Sequence, residues 1–70
     1  MQLIKVVIAD DHMLFREGLK RILSFEKDIL VVGEAADWAE AIQDTARMRP
    51  DVLLMDLKMP DGKEAEWLLK

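Results

Sequence analysis

The sequence contains no cysteine, which excludes a disulfide framework and any thiolate metal site, the usual supports of a small secreted domain. A reducing, cytoplasmic setting fits that absence. Lysine and arginine form no long run and the formal net charge is -4, so direct binding of nucleic acid along a basic stripe is not expected. No apolar run approaches the ~20 residues of a membrane span, and Met1 to Lys5 carry no charged leader before a long apolar core. The expectation is a soluble, unprocessed chain with no membrane partner. Neither GxGxxG nor GxxxxGK followed by Ser or Thr occurs, so a glycine-rich nucleotide loop is excluded. There is no internal repeat, low-complexity segment or Gly/Ser linker, so residues 1–70 are read as one domain. A chain this short buries only about 60% of the surface its unfolded form exposes, which leaves a marginal core that a partner could complete.

What is present is organised around Asp51-Val52-Leu53-Leu54-Met55-Asp56-Leu57-Lys58-Met59-Pro60. An apolar run from Val52 to Met55 fits a strand covered on both faces, and Pro60 cannot continue a central strand. Asp56 therefore stands at a strand's C-terminal edge. Ile4-Lys5-Val6-Val7-Ile8-Ala9 repeats this plan and ends in Asp10-Asp11. Between Met13 and Phe25, Leu14, Phe15, Gly18, Leu19, Ile22 and Leu23 make a helical apolar stripe that Asp11 or His12 begins, and Gly18 suggests a close helix-to-sheet approach. Ile29 to Ala35 reads as a second strand, and Gly33 puts it at an edge. Asp37 and Glu40 form a capping-box-like pair for a second helix. Its apolar face is thin (Ala41, Ile42, Ala46, Met48), and Arg49-Pro50 stops it. Asp61-Gly62 is a turn, and Lys63 to Lys70 has the residues of a third helix.

The alternation of strands and helices predicts an α/β fold of three parallel strands in order 2-1-3 with helices on both faces. The chain reverses direction between its first and third strands, which makes a switch point where ligands of open α/β sheets bind. Asp10, Asp11 and Asp56 converge there. Two carboxylates ~4 Å apart repel by about 4 kcal/mol at an effective dielectric near 20, so such a group must protonate, splay apart or bind a cation. Mg²⁺ suits oxygen ligands and takes one or two carboxylates plus a phosphate oxygen. Asp56 is then the candidate nucleophile for an aspartyl phosphate, with Asp10 and Asp11 holding the metal. His12, alone at a helix start, is read as a solvated loop residue with no catalytic role.

Three stretches together carry a family resemblance: Asp10 to Leu19 (DDHMLFREGL), Val31 to Ala35 (VVGEA) and Arg49 to Pro60 (RPDVLLMDLKMP). The chain resembles the N-terminal half of response-regulator receiver domains of the NarL/FixJ type, and the likeness covers essentially its whole length. The resemblance implies a flavodoxin-like fold and a two-component phosphorelay in which Asp56 is the phosphoacceptor from a histidine kinase. It further implies that Asp10 and Asp11 hold Mg²⁺, one of them through water, and that Asp56 itself and the Lys58 backbone carbonyl are further metal ligands.

A receiver of that type has five strands and five helices, whereas this sequence runs only into the third helix. The hydroxyl residue and the lysine that such receivers carry after their fourth and fifth strands have no counterpart here, nor has a DNA-binding helix-turn-helix domain. The loop Met59-Pro60-Asp61-Gly62 is two residues shorter than the pattern. Trp67 and Leu68 stand where polar residues are usual, and Lys63 where an apolar one is. The expected protein is therefore a truncated receiver, not a stand-alone enzyme, whose third strand is a free apolar edge. It is expected to form a homodimer through the Val52–Leu57 edge, the helix around Trp67, or both. The alternative is a truncated or engineered half-receiver whose main property is folding and homodimerisation, with the acidic site a relic.

Overall fold

The computed structural model describes residues 2–59. Along the chain run β1 (Ile4–Ala9), α1 (Met13–Leu23), β2 (Ile29–Ala35), α2 (Trp38–Met48) and β3 (Val52–Met55). The strands form one parallel sheet in the order β2-β1-β3, the 2-1-3 arrangement expected from the sequence. The third helix expected over residues 63–70, with Trp67, and the turn at Asp61-Gly62 lie outside the described residues.

The central strand, β1, buries Val6, Val7, Ile8 and Ala9 in succession. An unbroken buried run of this kind is what a parallel strand sandwiched between two layers requires. Gly33 and Glu34 adjoin on β2 and so face opposite sides of the sheet. Glu34 receives Lys20 and Arg16 of α1, while Gly33 faces Asp44 of α2. The two helices therefore cover opposite faces.

Helix α2 starts as its sequence suggests. The Asp37 side chain accepts the Glu40 N–H at 2.8 Å, while Glu40 Oε1 reaches back to the Ala36 N–H, one residue before its capping-box partner. It ends at Arg49, whose φ of 49° is left-handed. The face it buries differs from the expected one: Trp38, Ala41 and Asp44 are buried, whereas Ile42 and Ala46 are exposed. The Trp38 indole is the largest apolar group on this helix, and its burial decides which side meets the sheet. It joins Ala9, Ala35, Ala41 and Met59 in one core cluster, with Leu53 and Met55 packed against it.

Helix α1 departs further from its apolar stripe. None of its residues is buried; Leu14 is 87% exposed, and Phe15 and Ile22 are also exposed. Its half-buried residues are Arg16, Leu19, Lys20 and Leu23, so at 100° per residue the stripe is rotated roughly a quarter turn off the sheet. The edge of α1 that meets β2 is polar: Lys20 Nζ lies 2.7 Å and Arg16 Nε 3.3 Å from the Glu34 carboxylate. Lys20, hydrogen-bonded first of all, holds the Glu34 carboxyl below the ordinary carboxylate range.

The expected close approach at Gly18 is not found. Among the described residues nothing lies within 4 Å of a Cβ built there, whereas at Gly33 a Cβ would meet Asp44 Oδ2 at 3.3 Å and Val7 Cγ2 at 3.4 Å. The helix that nears the sheet at a glycine is α2, and the glycine is on the strand. Gly18→Ala is thus predicted to stabilise the chain by about 0.5–1 kcal/mol, the ordinary helix-interior gain. Gly33→Val is predicted to cost about 1–3 kcal/mol through overpacking. Urea unfolding of both variants checks the pair, and equal losses at the two glycines would contradict this packing.

Candidate functional site

Parallel pairing of β1 with β3 aligns Ala9 with Met55, so the next residue of each strand, Asp10 and Asp56, leaves the sheet at the same level. The Asp10 N–H donates to the Ala35 carbonyl and the Asp56 N–H to the Ala9 carbonyl, both at 2.9 Å. Asp11 and His12 follow in the short turn into α1. One ligand atom from each of Asp10, Asp11, His12 and Asp56 lies within 4.8 Å of the others. The three aspartates expected from the sequence to hold a metal are therefore together. Lys58, expected to contribute its carbonyl, stands in the turn after β3, where its N–H donates to Asp56 Oδ1 at 2.9 Å.

Burial grades the three carboxylates. Asp10 is 6% exposed, Asp56 is half-buried and Asp11 is exposed. The His12 N–H donates to Asp10 Oδ1 at 2.8 Å, and this bond, more than any other contact, holds the Asp10 carboxyl below the ordinary range. Repulsion among neighbouring carboxylates favours protonation, but at Asp10 the direction is opposite, because backbone and imidazole donors converge on it.

His12 was given no part by the sequence reading, yet its ring joins the cluster. Nδ1 lies 2.9 Å from Asp10 Oδ1 and 3.1 Å from Asp11 Oδ1. Its hydrogen bond to Asp10, then the charges of Asp11 and Asp10, raise its pKa. The signal in the sequence was adjacency: a histidine directly after two aspartates at a strand end has little freedom to leave them. Trp38 was also passed over, and its indole Nε1 donates to the Met59 carbonyl at 3.3 Å, behind the turn that carries Asp56.

The donor set suits a hard divalent cation. Carboxylate oxygens converge at the switch point, the most buried of them is kept ionised, and oxygen is what Mg²⁺ selects. Asp10, Asp11 and Asp56 are the side chains able to hold it.

A three-stranded parallel α/β unit in the order 2-1-3, with clustered carboxylates at its switch point, defines a protein of the flavodoxin-like fold. The chain belongs to the response regulator receiver domain family, whose profile matches residues 6–67. It is 52% identical over 59 residues to the oxygen regulatory protein NreC of Staphylococcus haemolyticus, an alignment spanning 84% of this chain and 27% of NreC. Among solved structures it is similar to the signal receiver domain of NarL from Mycobacterium tuberculosis, with a TM-score of 0.83 and 46% identity over 87% of this chain and 49% of that one. It is also similar to RcsB from Salmonella enterica serovar Typhimurium, solved bound to promoter rprA with the phosphomimetic BeF3-; the TM-score is 0.79 and identity 34%, over 84% of this chain and 29% of that one. The chain thus spans about a quarter of NreC and half of the NarL receiver.

The Asp–His contact makes a pH prediction. A lowered Asp10 pKa stabilises the fold above the unfolded carboxylate value and loses that effect as pH falls through the folded value. A raised His12 pKa stabilises it below about 6.5, the unfolded value, and loses that effect as pH rises through the folded one. Their contact is therefore strongest between the acid limb of Asp10 and the alkaline limb of His12. Histidine NMR in the metal-free chain is predicted to show His12 titrating above 6.5, and Asp10→Asn is predicted to lower that midpoint. A midpoint unmoved by Asp10→Asn would contradict the pairing.

Proposed function

We propose that this receiver accepts a phosphoryl group on Asp56 from a phosphohistidine of a histidine kinase, in a step that depends on Mg²⁺. The observation that carries the reading is the grouping of Asp10, Asp11 and Asp56 ligand atoms at the switch point. An Asp56 carboxylate oxygen attacks phosphorus, the new O–P bond forms, and the P–N bond breaks with its electron pair passing to the leaving imidazole. When bound, Mg²⁺ neutralises charge on the transferring oxygens. Asp10, Asp11 and Asp56, together with the Lys58 carbonyl, would hold it. The Lys58 N–H fixes Asp56 Oδ1, which limits the rotation of the attacking carboxylate.

The setting is a cytoplasmic two-component phosphorelay. Among the described residues no helix is long and apolar enough to cross a membrane. The solution of RcsB on a promoter with a phosphomimetic supports transcription control as the role of the longer proteins to which this unit is related, with DNA contacted outside it. Residues 1–70 act as the phosphoacceptor unit.

A second proposal concerns assembly. Among the described residues β3 pairs only with β1, and Val52 and Leu54 along it and Leu57 in the turn that follows are exposed, as are Leu14, Phe15 and Ile22 of α1. Each large apolar side chain removed from water contributes about 1.5–3 kcal/mol, so a second copy seated on the Val52–Leu57 edge, with or without the segment around Trp67, would add to a small core. Self-association is then a property of the chain in its own right, even where phosphotransfer is weak.

Native mass spectrometry with Mg²⁺ and a small phosphodonor, beside Asp56→Asn, tests both readings. The predicted result is a dimer carrying phosphoryl groups only when Asp56 is present. Labelling that survives Asp56→Asn would overturn the phosphoacceptor assignment, and a folded monomer at micromolar concentration would overturn the dimer.

A further inference from the structure

We infer that Trp38 is a positioning residue for the phosphoacceptor turn: through the Met59 carbonyl its indole N–H sets the backbone from which Asp56 and Lys58 act. The inference rests on the phosphoacceptor reading of Asp56. Its starting point is a bond between distant parts of the chain, since Trp38 Nε1 donates to the Met59 carbonyl across 21 residues. Both residues are 2% exposed and belong to the same core cluster. A carbonyl in such a place has no ready access to water, so the indole is its donor.

The turn is tied in sequence from this point. The Met59 N–H donates to the Asp56 carbonyl at 3.3 Å, and the Lys58 N–H donates to Asp56 Oδ1 at 2.9 Å. The Lys58–Met59 peptide is planar, so fixing its N–H on one side also fixes the plane of the Lys58 carbonyl on the other. Trp38 acts on the next peptide. Its bond closes the path from the first turn of α2, capped by Asp37, to the residue that orients the Asp56 carboxylate. A phenylalanine could fill much of the same volume, so core packing alone does not call for the N–H.

The distinction gives the test. In a Trp67→Phe background, Trp38 is replaced by Phe, and in a second sample by benzothienylalanine, which keeps the bicyclic shape and puts sulfur in place of the N–H. Amide exchange in the metal-free chain is expected to lose protection at Lys58 and Met59 in both samples, while the Val6–Ala9 amides stay protected. Mg²⁺ alone, titrated by NMR, is expected to bind about 3- to 10-fold more weakly, the scale of one lost hydrogen bond in a pre-set loop. Phosphorylation at saturating Mg²⁺ is expected to recover most of the parent rate. Unchanged protection at Lys58 and Met59 with an unchanged Mg²⁺ midpoint in the benzothienylalanine sample would overturn the inference and leave Trp38 as core filling. If Trp38→Phe unfolds, that isosteric sample still decides. If the parent itself takes no phosphoryl group, the functional reading fails, while the metal-free exchange still settles what Trp38 does.

Discussion

The site depends on the register of β3 against β1. Two contacts hold it at the open end of the pair: the Asp51 N–H donates to the Lys5 carbonyl, and the Lys5 N–H donates to Asp51 Oδ2, both at 2.8 Å. At the far end the Asp56 N–H meets the Ala9 carbonyl. A slip of one residue would turn Leu53 and Met55 away from the α2 core and carry Asp56 out of level with Asp10. Apolar packing and carboxylate convergence are thus two results of the same pairing. One aspartate at each end of β3 serves it, Asp51 through its N–H and carboxylate and Asp56 through its N–H.

Gathering carboxylates at that end has an electrostatic cost, and the surrounding backbone is arranged to meet it. Asp10 takes the His12 N–H, Asp56 takes the Lys58 N–H, and the Arg16 guanidinium binds the Asp10 carbonyl while also reaching Glu34. The imidazole of His12 sits against Asp10 and Asp11. Without metal, then, the cluster is balanced by donors on the turns beside it. Asp10, the most buried of the groups a cation would neutralise, is held below the ordinary carboxylate range and oriented in advance, which suits the proposed binding of a metal at this end of the sheet.

The two faces of the sheet are built by different forces. Helix α2 is held by burial, with Trp38, Ala41 and a close approach over Gly33. Helix α1 is held at its polar edge by Glu34, and its apolar stripe of Leu14, Phe15 and Ile22 stays in contact with water. The first face carries the turn that holds Asp56. The second, with Val52 and Leu54 exposed on the neighbouring strand, presents apolar surface to whatever meets the chain.

Local pattern was enough for the strand ranges and the Asp37 cap, which follow from nearest-neighbour rules of burial and side-chain capping, whereas the strand order and the three aspartates at the switch point drew on the handedness of crossovers together with the family resemblance. The sequence also determined that the cluster would be oxygen-rich, since no thiol exists to compete. Tertiary structure decided the rest. Which glycine marks a close approach depends on how far a helix lies from a strand, and the sequence of α1 does not contain that distance. Which edge of α1 meets the sheet shows only in the folded chain, where Arg16 and Lys20 reach Glu34, 14 or more residues away. The roles of His12 and Trp38 came from the same source, for a ring beside two carboxylates and an indole beneath a turn acquire their meaning only when the chain brings those partners to them.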